Sequence, residues 1–131
     1  MAGNKEDYIN YRISKSHEVF EDATLLAKNG RWNSCINRLY YSSYYLAGAL
    51  LFNNNVKAEA HNGVKTQLFK NYVKTGSLSI EHGKLYSHLF DWRQESDYAD
   101  FVEFDQSLVE PLLNDVADLN AAMKNLISRI S

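Results

Sequence analysis

Residues 33–53 read NSCINRLYYSSYYLAGALLFN. Ile36, Leu39, Tyr40, Ser43, Ala47, Leu50 and Leu51 recur at the spacing of one helical face. Tyr41, Tyr44, Tyr45 and Leu46 leave little of the remaining surface plainly polar. A helix that is apolar on most sides belongs in the middle of a fold. Ser42, Ser43, Ala47, Gly48 and Ala49 are small enough to let neighbouring helices approach closely. Asn53-Asn54-Asn55 supplies the stop.

The flanking segments supply partners for such a helix. Before it, Ile9, Ile13, Ser16, Phe20, Ala23 and Ala27 form one stripe, widened by Val19 and Leu26. This predicts a helix over about 5–28, closed by Asn29-Gly30. After it, His61, Val64, Leu68 and Tyr72 predict a helix over 59–74, broken at Thr75-Gly76. His82, Leu85, Tyr86, Leu89, Phe90 and Arg93 align over 79–95. An acidic connection follows over 96–105. The last helix begins near Asp105 or Ser107, where Ser107 and Glu110 read as a capping box, with Pro111 in the first turns. Val109, Leu112, Val116, Leu119, Met123, Leu126 and Ile130 form its core stripe. The expected fold is all-α, an antiparallel bundle of four to five helices, built as one domain over residues 1–131.

Composition narrows the function. Cys35 is the single cysteine, so no internal disulfide forms and a reducing, cytoplasmic setting is expected. The first residues carry no apolar run of the signal-peptide type, and Leu46 to Phe52 is too short to cross a bilayer. A net charge of −2 argues against a general electrostatic grip on nucleic acid. The charge is uneven, however. Lys57, Lys65, Lys70, Lys74 and Lys84 face only Glu59 and Glu81, whereas six acids between Asp91 and Asp105 face Arg93 alone. These are either solvated helix faces and loops or a basic groove beside a site kept away from random RNA. No metal-ligand spacing and no glycine-rich phosphate loop occurs, so no metal and no cofactor is expected.

Arg93 breaks the local pattern. It lies four residues after Leu89 and three after Phe90, on the apolar side of its helix. A guanidinium there needs a partner. Asp97, one turn on, is one candidate, and a phosphate or nucleotide is the other. Arg38 raises the same question, because Tyr41, Ser42 and Tyr45 share its side of the helix. It either stacks on tyrosine at the surface or is a second donor facing Arg93. The tyrosines at 40, 41, 44 and 45 read as core, as interface or as a platform for stacking bases.

Together these pieces spell a recognisable order. Arg38-Leu-Tyr-Tyr-Ser-Ser-Tyr-Tyr precedes Ala49-Leu-Leu. His61-Asn-Gly-Val, Phe69 and Val73-Lys-Thr-Gly76 follow, then Leu89-Phe-Asp-Trp-Arg-Gln-Glu-Ser-Asp-Tyr98. The order resembles small stand-alone bacterial and archaeal HEPN (higher eukaryotes and prokaryotes nucleotide-binding) proteins over nearly the whole chain. The resemblance implies a helical bundle, a homodimer, and often a minimal nucleotidyltransferase as antitoxin partner. It also implies metal-independent endoribonuclease chemistry on RNA, from an Arg followed after four to six residues by a His.

Arg93 matches that Arg. Positions 98, 99 and 100, where the His would fall, hold Tyr98, Ala99 and Asp100. The resemblance therefore points to Arg93, Asp97 and Tyr98 as the catalytic group. Tyr98 would donate a hydrogen bond or proton rather than act as a base, since an unperturbed phenol has a pKa of about 10. Arg38, Tyr41, Tyr45, His61, Lys65 and Lys74 are the residues expected to bind RNA or a nucleotide. The alternative is a non-catalytic subunit that binds a nucleotide or escorts a nucleotidyltransferase.

Overall fold

A computed structural model describes residues 4–98 and 102–130. The helices are α1 (Lys5–Lys28), α2 (Trp32–Asn53), α3 (Ala60–Leu68), α4 (Ile80–Tyr98) and α5 (Gln106–Ile130). A π-helical turn over Phe69–Val73 continues α3. No strand occurs among the described residues. The all-α bundle expected from the sequence is the one observed.

The central place of α2 follows from its composition. It packs against α1, α3, α4 and α5. Cys35, Ile36, Leu39, Tyr40, Ser42, Ser43, Leu46, Ala47, Ala49, Leu50 and Leu51 are all buried. The small residues do what their size permits. Ser16 Oγ of α1 donates to the Ser42 carbonyl at 2.7 Å. Ser43 Oγ donates to Asn120 Oδ1 at 2.8 Å, and Asn120 Nδ2 donates to Ser42 Oγ at 3.1 Å. Three helices are thus tied through buried groups that would each cost about 1–3 kcal/mol if left unpaired.

Arg12 of α1 adds a clamp that the sequence does not announce. Its Nε and Nη2 donate to the carbonyls of Tyr45 and Tyr44 at 3.0 and 3.3 Å. The guanidinium occupies the space where a side chain at Gly48 would stand.

The connections use the expected residues. Gly30 takes φ +70°, with Arg31 N–H bonded to the Leu26 carbonyl and Gly30 N–H to that of Ala27. Asn55 does the same after α2 at φ +61°, with Val56 N–H bonded to the Leu51 carbonyl. These are paired helix-end bonds closed by a left-handed residue.

Three boundaries differ from the expectation. The third segment is α-helical only to Leu68 before its π turn. Gly83 of α4 sits tightly against that turn: a Cβ there would lie 3.0 Å from Val73 Cγ1 and 3.3 Å from Phe69 Cε1. Second, α4 runs on to Tyr98, which brings Asp97 into the same helix as Arg93. Third, α5 is capped by Asp105, whose Oδ1 accepts from Leu108 N–H at 3.0 Å. The Ser107–Glu110 capping box does not form, because Glu110 instead accepts from Gln106 Nε2 at 2.7 Å. Pro111 falls inside α5. The carbonyl it leaves without an N–H partner is that of exposed Ser107, which water can reach. Near the C-terminus Ile127, rather than Leu126, is the buried residue.

Candidate functional site

The centre of the site is the meeting of α2 and α4. Arg93 is only 6% exposed. Its guanidinium lies over two rings, 5.1 Å from the centroid of Tyr40 and 5.7 Å from that of Phe90. Its Nη1 is 3.9 Å from Asp97 Oδ2, an ion pair too long to be a hydrogen bond. Nε is buried without any hydrogen-bond partner among the described residues.

The balance of these terms is informative. Attraction at that separation is about 4 kcal/mol at an effective dielectric of about 20. Desolvating a guanidinium costs several kcal/mol, and a desolvated cation–π contact returns about 2. The fold therefore holds a buried cation that makes no side-chain hydrogen bond among the described residues.

Asp97 is shared. Its Oδ1 accepts from Asn37 Nδ2 at 3.0 Å. Asn37 Oδ1 in turn accepts from Arg38 Nε and Nη2 at 3.1 and 2.7 Å. Arg38 also stacks over Tyr41, 5.0 Å from its centroid. Arg38 thus rests on a tyrosine, as the first sequence alternative has it, and meets Arg93 only indirectly, through Asn37 and Asp97. Ser96, Asp97, Arg38 and Asn37 border a groove of about 440 Å³ beside this network.

His61, at the start of α3, completes the centre. Its Nδ1 is 2.8 Å from the Tyr40 hydroxyl. Its ring stacks on Tyr44 at 4.5 Å between centroids and meets the edge of Tyr41 at 5.7 Å. Burial lowers its pKa from the ordinary value, the positive charge of Arg93 lowers it further, and Asp97 opposes both. His61 is thus a neutral imidazole near pH 7. Burial pushes the Tyr40 hydroxyl well above the usual phenol range, so it keeps its proton. Ala60, just before His61, takes φ +58°, a conformation costly for a residue with a Cβ. Strain of this kind concentrates where a fold fixes a functional side chain.

On the other side, Lys65 Nζ sits over Phe90, 4.6 Å from the centroid of the ring that also carries Arg93. Lys65 leads into a wider groove of about 630 Å³, lined by Lys65, Thr66, Phe69, Lys70, Val73 and Lys74. Of the basic run in the sequence, Lys65, Lys70 and Lys74 line this groove, and Lys57 borders a different cavity.

Of the expected site residues, Arg93, Asp97, Arg38, Tyr41, His61 and Lys65 come together. Lys74 lies farther along the lysine groove. Tyr45 stands apart from Arg38: its ring lies 5.1 Å from the Arg12 guanidinium, and its carbonyl takes the Arg12 hydrogen bond. The backbone of Tyr98 ends α4, but its side chain lies outside the described residues, as do Ala99 and Asp100. Tyr40, Tyr44, Asn37 and Phe90 are the contributors that sequence reasoning did not assign to the site. Tyr40 three residues after Asn37, and Phe90 three before Arg93, are local signals for three of them.

The sequence pattern of the HEPN domain matches residues 9–126. The chain belongs to the HEPN domain family. A Thermotoga maritima protein named "UPF0332 protein" is 35% identical over 123 residues, 94% of this chain and 93% of its own length. A Methanocaldococcus jannaschii protein named "Putative toxin MJ0142" is 29% identical over 118 residues, 89% of this chain and 80% of its own. An Archaeoglobus fulgidus "UPF0332 protein" is 26% identical over 123 residues, 94% and 98% of the two chains. In this HEPN chain, no helix of the described residues is long and apolar enough to cross a membrane. Among the same residues no group of three or more His, Cys, Asp or Glu gathers in a metal-binding cluster.

Proposed function

We propose that this HEPN protein is an RNA-directed, toxin-like component, and that Arg93 is its phosphate clamp. One observation carries the proposal: a guanidinium that is 6% exposed is held by rings and a 3.9 Å ion pair, with no hydrogen bond among the described residues. A phosphodiester supplies what it lacks, a planar pair of acceptors and a negative charge. The neighbouring lysine groove suits the strand that carries the phosphate. The likeness to the relative named "Putative toxin MJ0142" supports the same direction.

The chemistry is metal-independent endoribonucleolytic cleavage, with Arg93 on the scissile phosphate and Asp97 and Tyr98 beside it. A minimal nucleotidyltransferase is the partner expected of such a protein, and a homodimer its expected assembly. The absence of a His at 98, 99 and 100 favours a second reading: a subunit that binds RNA or a nucleotide without cutting it.

Incubating RNA with the purified protein in EDTA separates the two. Wild type is compared with Arg93→Ala and Tyr98→Phe. Cleavage by wild type that disappears in Arg93→Ala supports the nuclease. Binding without cleavage, lost in Arg93→Ala, supports the subunit. Cleavage that Arg93→Ala leaves untouched contradicts both.

A further inference from the structure

We propose that His61 is the second ligand of the phosphate at Arg93, giving its oxygen a hydrogen bond from Nε2 while Tyr40 holds Nδ1. The proposal takes its ligand class, a nucleic-acid phosphodiester, from the RNA-directed function above.

The geometry brings these groups together through one residue. Tyr40 carries the Arg93 guanidinium on its ring, 5.1 Å from the centroid, and touches His61 Nδ1 with its hydroxyl at 2.8 Å. Two groups able to donate to an anion are therefore fixed on the two ends of one buried side chain. Tyr40 is fully buried and cannot turn away.

The Tyr40 hydroxyl keeps its proton and lies 2.8 Å from His61 Nδ1. The proposed site takes the tautomer in which that hydroxyl donates to Nδ1, so that Nδ1 accepts and Nε2 carries the imidazole proton. Nε2 has no hydrogen-bond partner among the described residues, in contrast to His82, where Nε2 is taken by Asp118 at 3.0 Å.

The charged and titratable groups around His61 are Tyr40, Tyr41 and Tyr44 from α2 and Arg93 and Asp97 from α4. Asp97 is already engaged with Asn37 and Arg93. A bound anion adds negative charge beside an imidazole that burial, and after it Arg93, keeps neutral. Binding and protonation of His61 then favour each other.

All of these residues belong to one chain. In this proposal the imidazole that positions 98–100 lack comes from α3 rather than α4.

The test is an NMR titration of the histidine rings with a 2′-deoxy dinucleotide. Its diester keeps one negative charge across the pH range used, and it lacks the 2′-hydroxyl needed for self-cleavage. His17, His82 and His88 are internal controls for folding. The expected result is a saturable shift of the His61 ring and a rise of its pKa on binding. Arg93→Met should abolish both while leaving the control rings in place. His61→Gln should weaken binding about tenfold, the worth of one hydrogen bond to a charged group.

Binding of the dinucleotide with an unresponsive His61, or no binding at all, overturns the proposal. The RNA-directed function fails separately: it falls if RNA is neither bound nor cut in EDTA, even where the dinucleotide moves His61. Conversely, Arg93-dependent cleavage with a silent His61 leaves that function standing and removes only the role given to His61.

Discussion

The Tyr40 hydroxyl and His61 Nδ1 lie 2.8 Å apart, joining the middle of α2 to the first turn of α3. Tyr40→Phe removes this bond and keeps the ring under Arg93. We expect a loss of about 1 kcal/mol in unfolding free energy, since a part-buried imidazole nitrogen loses its partner. The fold should persist. Urea denaturation of the two proteins measures the difference, and an unchanged midpoint would deny the bond any weight.

Arg93 is expected to cost stability. Arg93→Met keeps the length and apolar stem and removes the buried charge. Replacing both ions of a buried pair by apolar residues is often neutral or favourable by about 1–4 kcal/mol, and the ion left behind here, Asp97, is 34% exposed and keeps its bond from Asn37. The melting temperature of Arg93→Met should therefore equal or exceed that of wild type. A clear fall would mean that the ion pair with Asp97 is a structural element.

Arg93 should also be visible in the titration of its neighbour. Burial is the first cause of the lowered His61 pKa, and Arg93 the second. In the free protein, Arg93→Met should move the His61 pKa upward, short of the ordinary value of about 6.5 because burial remains. NMR titration of the ring reads this directly. A pKa that does not move would place Arg93 out of electrostatic reach.

The pH dependence of stability has two arms. The folded pKa of His61 lies below its unfolded one, so the unfolded chain binds the extra proton first. Stability contributed by keeping His61 neutral is full above pH 6.5 and falls as pH drops through the unfolded value toward the folded one. The phenols of Tyr40 and Tyr86 have raised folded pKa values, chiefly from burial. Their contribution is full below about pH 10 and is lost as pH rises beyond it. Thermal melts across pH should show the acid arm flattened in His61→Gln and the alkaline arm flattened in Tyr86→Phe.

Much of this arrangement is legible in the sequence, and the gaps have physical causes. The helical stripes are, because a period of 3.6 is a local property, and α2 reads as central because no side of it is polar. Arg93 stands out because Leu89 and Phe90 place it on a buried face. Asp97, one turn on, is legible beside it, but the contacts that tie the two to α2 and α3 are not. Tyr40 and His61 are 21 residues apart, and Asn37 and Asp97 are 60 apart, so only the packing of α2 against α3 and α4 joins them. A helix apolar all round also hides which tyrosine faces which partner: Tyr45 serves Arg12 rather than Arg38. At α5 two acceptors compete for the cap, and Asp105 wins over Ser107 because Gln106 draws Glu110 away.

The most direct test of the account is the affinity of a fluorescent single-stranded RNA for wild type and Arg93→Met, by anisotropy in EDTA. The two proteins should be equally folded, with binding at least about tenfold weaker in Arg93→Met, the worth of a lost charge-assisted contact. Equal affinity in the two would contradict the assignment of Arg93 as a phosphate clamp.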